Sequence, residues 1–254
     1  MERGAGVVET PREKRNREFL QYRSAHPGVT YAQWLNGAAI DYVKRGAKHA
    51  TLGGNLGYEN WWDAGRSTVE RYMRLFPFTP TSRVIDYGCG SLRVGGHFIR
   101  YLDAGCYFGI DVTMGLIEVG RDLVGAELLD EKKPQFGPID EPTMERAARF
   151  NADIVFSTAV CYHVFPDEAP IYFGNLKRLA HKPGATLFFD VSVSDEPVLE
   201  HALSAPVEYY TKALAPLELV QLHAIATRTE QKQTLGILEF RTPEPPPRRW
   251  WQRK

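Results

Sequence analysis

The stretch Val84-Ile85-Asp86-Tyr87-Gly88-Cys89-Gly90-Ser91-Leu92-Arg93-Val94-Gly95-Gly96 has the residue types and spacing to hold a charged ligand. An apolar run reading as a strand ends in an acid, two glycines follow at alternate positions, and a helical pattern begins. Glycines let the backbone approach a ligand closely, and the N-terminus of the following helix favours negative charge. About twenty residues beyond Gly90, Phe108-Gly109-Ile110-Asp111 reads as a second strand ending in a carboxylate, which can accept both hydroxyls of a ribose. A third position able to do chemistry is His163, within Cys161-Tyr162-His163-Val164. An imidazole is the side chain most often suited to take a proton from a reacting group near neutral pH.

These side chains act together only if a scaffold brings them side by side. From Arg83 onward short apolar runs alternate with helical patterns. Strands are expected near Arg83–Tyr87, Tyr107–Asp111, Gln135–Ile139, Ile154–Ser157 and Thr186–Val191. Helices are expected near Leu92–Leu102, Met114–Leu123, Thr143–Ala148 and Glu168–Ala180. Strands separated by helices predict a parallel sheet covered on both faces. Leu217–Thr227 and Leu235–Thr242 read as two further strands, which the short polar link Arg228–Thr234 obliges to pair antiparallel. Upstream, the charged run Arg12–Arg23 opens a helix that Pro27-Gly28 breaks, and Thr30 caps a second through about Arg45. Thr51–Gly57 reads as a glycine-rich loop and Asn60–Phe76 as a helix ended by Phe76-Pro77. The chain thus divides into a helical N-terminal extension or lid (1–60), a ligand-binding domain (61–242) and a proline-rich basic tail (243–254).

Composition narrows the function classes. The 254 residues suffice to bury a large core, and the 43% apolar and 24% charged fractions are ordinary for a soluble globular protein. With 31 basic and 31 acidic residues the formal net charge is zero, so no global field attracts nucleic acid or an anionic membrane. Cys89, Cys106 and Cys161 are scattered and odd in number, with no CxxC pair and no Cys/His cluster at zinc spacing. Neither a disulfide framework nor a metal site is expected. The first residues lack an apolar stretch of signal-peptide length and no later run approaches a membrane span, which predicts a cytoplasmic protein.

The order D-x-G-x-G over Asp86–Gly90, with the acid just before the turn, resembles motif I of class I S-adenosylmethionine (SAM)-dependent methyltransferases. Asp111 matches the acidic end of their second strand. Asn151–Val164 is similar to the family's fourth-strand motif, and Leu176–Ala185 to its turn before strand five. The resemblance covers roughly Val84 to Val193. It implies a Rossmann-like α/β fold: a mostly parallel seven-stranded sheet with an antiparallel C-terminal strand and helices on both faces. It also implies SAM as cofactor and S-adenosylhomocysteine as product. Carried onto this sequence, Asp86, Gly88, Cys89 and Gly90 hold the amino acid end of SAM and Asp111 its ribose. Val112 and Met114 wall the adenine, Ile139 and Asp140 match the adenine-contacting loop, and Ser157 adds a cofactor contact from strand four. Arg93 departs from sequences with a small residue there; it either pairs with the SAM carboxylate or makes a surface ion pair.

Methyl transfer is an in-line displacement at a carbon already activated by sulfonium, so the protein must align the acceptor and, for a hydroxyl, remove its proton. His163, following strand four, is the candidate base, weighed against a packing role. Tyr162, Trp62 and Arg66 are candidate acceptor contacts, and Asp190 can orient a histidine or bond backbone groups. Ser157-Thr158-Ala159-Val160 stands where methyltransferases of nucleobase or amide nitrogens often carry an Asp/Asn-Pro-Pro-aromatic motif. The acidic constellation of metal-dependent catechol-type enzymes is missing as well. The expectation is metal-free O-methylation of a small-molecule acceptor, a sugar or natural-product hydroxyl, with N- or carboxyl-methylation as runner-up. A nicotinamide-dependent oxidoreductase is disfavoured by Arg93 at the third-glycine position. A SAM-binding scaffold without catalysis stays open.

Overall fold

The computed structural model describes residues 11–35, 37, 60–112, 114–196, 203–229 and 233–245. The N-terminal extension contributes α1 (Pro11–Ala25) and a helical segment α2 over 31–35. Then come α3 (Trp61–Leu75), β1 (Val84–Tyr87), α4 (Gly95–Tyr101), β2 (Tyr107–Asp111), α5 (Met114–Val124), α6 (Ala126–Lys132), β3 (Gln135–Pro138) and α7 (Glu141–Arg149). The chain continues through β4 (Ile154–Ser157), a 3-10 turn (Cys161–His163), α8 (Ala169–Leu179), β5 (Thr186–Ser194), β6 (Ser204–Ala205), α9 (Val207–Leu214), β7 (Glu218–Arg228) and β8 (Gln233–Arg241).

The strands form one sheet in the order β3-β2-β1-β4-β5-β8-β7. The first five are parallel, and β8 runs antiparallel to both of its neighbours. That path is the seven-stranded sheet expected, with the two-residue β6 as an eighth strand beside β5. The edge at β6 is uneven. β4 leaves the sheet at Ser157, opposite Phe189, while β5 runs on along β8 to Ser194, and β6 pairs with it again at Ser192 and Val193.

The period of two along each strand sorts side chains into two cores. Ile85, Tyr87, Phe108, Ile110, Val155, Leu187 and Phe189 face α7, α8 and α9, while Val84, Tyr107, Ile154, Phe156 and Phe188 face α3, α4 and α5. A third, smaller cluster joins Phe19 of α1 and Tyr31 of α2 to Phe165, so the N-terminal extension rests on the segment after β4. There Thr30 and Gln33 form a reciprocal cap: Gln33 N donates to Thr30 Oγ1 (3.2 Å) and Thr30 N to Gln33 Oε1 (3.0 Å).

The structure differs locally from the sequence pattern. The helix after the glycine turn begins at Gly95, because Leu92 is left-handed (φ 59°) and prolongs the turn. Helix α6 was not expected; it is short, and only the adjacent Leu128 and Leu129 pack, partly buried, against the core. Helix α9 and β6 are also additions. The loop Thr51–Gly57, most of the expected second helix and the tail beyond residue 245 lie outside the described residues.

Two helices press onto the turn through glycines. A Cβ on Gly65 of α3 would lie 1.9 Å from the Arg93 carbonyl oxygen, and one on Gly120 of α5 2.4 Å from that of Ser91. Backbone cannot yield as a flexible side-chain end can. Gly65→Ala and Gly120→Ala should each lower unfolding free energy by about 1–3 kcal/mol in urea titrations. Gly174→Ala, at an exposed α8 position with nothing within 4 Å of the new methyl, should be neutral or stabilise by up to about 1 kcal/mol.

Candidate active site

The site is built at the carboxyl ends of β1, β2 and β4. Asp86 is the third residue of a fully buried strand and is 2% exposed. Its cross-strand partner is Gly109, and Val84 stands opposite Tyr107. With no side chain at Gly109, Tyr107 reaches diagonally over the same face and donates its hydroxyl to Asp86 Oδ2 at 2.7 Å. Gly95 completes this pocket, since a Cβ there would lie 2.0 Å from the Tyr107 oxygen. Burial pushes the Asp86 carboxyl up to about 7, with the charge of Asp111 adding to the rise and the Tyr107 hydrogen bond opposing it. The same burial and the facing acids push the Tyr107 hydroxyl up, so it remains the donor.

Above Asp86 the chain turns on two left-handed glycines, Gly88 (φ 83°) and Gly90 (φ 51°). Gly88 N and Cys89 N both donate to Ile110 O, at 2.7 and 3.1 Å, which lays the turn across the end of β2. Gly90 N donates to Asp111 Oδ2 at 2.8 Å. A Cβ on Gly88 would strike Val160 Cγ2 at 2.3 Å, whereas one on Gly90 would meet nothing within 4 Å. The turn is therefore packed on the β4 side and open at Gly90, beside the Asp111 carboxylate.

Several other residues singled out in the sequence gather nearby. Val112 directly follows β2, Met114 opens α5, and Ile139 N donates to Asp111 O at 2.7 Å, joining the ends of β2 and β3. Asp140 caps α7, accepting from Thr143 N at 2.8 Å, and these Thr143 hydrogen bonds hold its carboxyl below the usual range. Ser157 is 1% exposed; its hydroxyl donates to Tyr87 O at 2.8 Å and accepts from Tyr172 at 3.0 Å, stitching β4 to β1 and α8. Arg93 Nη1 donates to the Ala64 carbonyl of α3 at 3.2 Å, the helix that also touches the Arg93 backbone through Gly65.

The acceptor-side candidates fall into two groups. Trp62 packs on α4, edge-on to His97 at 4.8 Å with the Arg100 guanidinium 4.4 Å from its ring centre. Arg66, one turn on, is exposed and pairs with Asp63 at 2.8 Å. Burial lowers the His97 pKa, and its Nε2 lies 2.8 Å from Trp62 O, as befits a packing residue. Tyr162 and His163 sit in the 3-10 turn after β4. His163 is half-buried, its ring nearly parallel to Tyr31 at 6.4 Å between centres.

The same region holds a network that sequence reasoning did not assemble. Tyr72 of α3 donates to Asp190 Oδ1 at 3.0 Å, and Thr158 Oγ1 lies 3.0 Å from the Tyr72 oxygen. Asp190 Oδ2 accepts from Ala159 N at 3.0 Å, so this carboxylate bonds a backbone group. Tyr107 was likewise missed, although a tyrosine two residues before a glycine that faces a buried acid is a usable signal. Among the described residues no group of three or more His, Cys, Asp or Glu is placed to hold a metal, and no helix is long and apolar enough to cross a membrane.

No protein-family model matches the chain, and no curated protein is significantly similar to it. Solved structures do resemble it. The 4+2 cyclase SpnF matches with TM-score 0.56 at 16% identity, over 72% of this chain and 82% of that one. Magnesium protoporphyrin IX methyltransferase (ChlM) from Synechocystis PCC 6803, solved with S-adenosylhomocysteine bound, matches at 0.51 and 17% identity over 71% and 82%. N-methyltransferase NodS from Bradyrhizobium japonicum WM9, also in complex with S-adenosylhomocysteine, gives 0.51 and 17% over 70% and 87%. At such identities the likeness is one of fold. The chain has the Rossmann-like fold of the class I SAM-dependent methyltransferases.

The buried acid has a measurable signature. A carboxyl raised from 3.8 to about 7 keeps its proton in the native state where the unfolded chain has released it. Its contribution is present in full below pH about 4 and is lost at about 1.4 kcal/mol per unit as pH rises to about 7. Asp86→Asn removes that slope. The difference in urea-derived stability between variant and wild type should grow in the variant's favour from pH 5 to 7 and level off above.

Proposed function

We propose that this protein is a SAM-dependent methyltransferase that methylates a hydroxyl of a small-molecule acceptor, a sugar or natural product, without a metal. The observation that carries the reading is the Gly90–Asp111 junction, where an open backbone turn and a carboxylate meet at 2.8 Å across the ends of two parallel strands. A cofactor with an amino acid at one end and a ribose in the middle fits this place, since a methyl on Gly90 would project into open space.

In this reading the Gly88–Gly90 backbone, with Cys89 between, holds the amino acid end. Asp86 supports the turn from beneath, and Arg93 contributes positive charge at the start of α4. Asp111 accepts the ribose hydroxyls. Val112, Met114 and Ile139 wall the adenine, while Asp140 shapes that wall as the cap of α7. Ser157 keeps β4 in register with β1 beside the cofactor. Bound SAM supplies a methyl group already activated by its sulfonium.

The rest of the chemistry falls to the acceptor side. His163 takes the acceptor hydroxyl proton, and Tyr162, Trp62 and Arg66 shape or contact the acceptor. The involvement of Asp190 with Tyr72 and Ala159 N favours His163 over Asp190 as base. The N-terminal extension, 1–60, serves as a lid over this end of the 61–242 domain. That role is supported by its attachment: Phe19 and Tyr31 pack on Phe165, Tyr31 N donates to Glu168 Oε1 at 2.7 Å, and Arg23 pairs with Asp167.

Calorimetric titration with SAM, S-adenosylhomocysteine and NADH tests the class. The first two should bind saturably, and Asp111→Ala should weaken both by about 1–3 kcal/mol. Binding of NADH alone points instead to a nicotinamide-dependent oxidoreductase. A mass-spectrometric screen of hydroxylated, amine and carboxylate acceptors follows, in which His163→Ala should slow O-methylation by about 10²–10⁴-fold. SAM binding with no turnover on any acceptor identifies a scaffold.

A further inference from the structure

The β4 exit turn, Thr158–His163, lies between two sets of groups. On one side Val160 Cγ2 fills the space beside Gly88, 2.3 Å from where a Cβ would stand. On the other, Ala159 N donates to Asp190 Oδ2, and Asp190 Oδ1 accepts from Tyr72. Tyr72 is fully buried, its ring edge-on to Phe188 at 4.8 Å, so its hydroxyl has a fixed address. With that proton committed to Asp190, the Thr158 hydroxyl donates in turn to the Tyr72 oxygen at 3.0 Å. Between these anchors Ala159 is left-handed, φ 58°, a conformation costing an alanine about 1–2 kcal/mol.

A strained residue persists only where its neighbours hold it. Asp190 accepts the Ala159 amide and so favours the left-handed form, and this form directs the next residue, Val160, onto the glycine turn. We propose that Tyr72 and Asp190 are positioning residues for cofactor binding: through Ala159 and Val160 they clamp the β4 exit turn against the Gly88–Gly90 turn. They lie on α3 and β5, outside the glycine turn itself, so they act through it. The inference rests on the methyltransferase reading and adds to it a coupling between the cofactor turn and the strands that form the acceptor side.

The test is calorimetric titration of S-adenosylhomocysteine into the full chain and three variants, with thermal melts confirming that each is folded. Tyr72→Phe removes one hydroxyl and keeps the buried ring; Asp190→Asn removes the charge that favours the Ala159 amide. Each should raise Kd by about 3–10-fold, the loss expected for one hydrogen bond. Adding Ala159→Gly to Asp190→Asn removes the cost of the left-handed residue and should return Kd to within about twofold of wild type. A merely structural role for Asp190 would not be rescued by a glycine elsewhere. Unchanged affinity in Tyr72→Phe and Asp190→Asn overturns the proposal, as does weakening that Ala159→Gly leaves uncorrected. If Asp190→Asn does not fold, Tyr72→Phe alone decides. A wild-type protein that binds no S-adenosylhomocysteine removes the methyltransferase reading itself, and the proposal with it.

Discussion

The hydrogen bond from Tyr107 to Asp86 joins the first two strands beneath the glycine turn, and the surrounding structure is shaped to admit it. A buried carboxylate is costly unless donors face it. The chain meets that need with a tyrosine on the adjacent strand and leaves out two side chains to make room, at Gly109 opposite the acid and at Gly95 above it. Helix α4 can begin close over the strands because its first residue has no Cβ. The acid, held largely protonated by its burial, lies under a turn whose amides point elsewhere, two to Ile110 O and one to Asp111.

Glycines do comparable work on the helical side. Gly65 and Gly120 bring α3 and α5 against the backbone of residues 91–93, so the segment that shapes the turn is gripped from two directions. The two large cores, divided by strand alternation, then hold the sheet rigid beneath. The described residues of the N-terminal extension belong to neither. They have their own small aromatic cluster and meet the domain at the segment following β4. The carboxyl end of the sheet is thereby divided, with the ends of β1–β3 forming one half and those of β4 and β5, beside which Phe19 and Tyr31 meet Phe165, the other.

Much of this was legible in the sequence wherever a local rule governs. The acid-glycine-glycine turn, Asp111 at a strand end and the alternation of strands with helices all follow from residue type and spacing. Thr30 announced a helix start in the same way. What escaped depended on register or on tertiary strain. Tyr107 matters because of which residue lies diagonally across a strand, and Tyr72 because α3 passes over the end of β5. Leu92 and Ala159 adopt left-handed conformations that nothing in a leucine or an alanine suggests. Asp140 and Ser157 find their local partners in Thr143 N, Tyr87 O and Tyr172, contacts that a motif does not specify.

The unequal lengths of β4 and β5 have a consequence for how such a protein can change. Between the point where β4 departs, opposite Phe189, and the point where β6 arrives at Ser192, the flank of β5 is crossed by loop instead of strand. At that notch β5 has no ladder partner on this side, and what the crossing loop keeps is the bond from Ala159 N to Asp190. Residues inserted, lost or exchanged among the segments crossing it alter the shape of the opening without shifting the register of any strand. Two descendants of this chain can therefore differ along that short flank while the pairings of β1, β2 and β3 stay as they are, much as one lock body accepts different keyways.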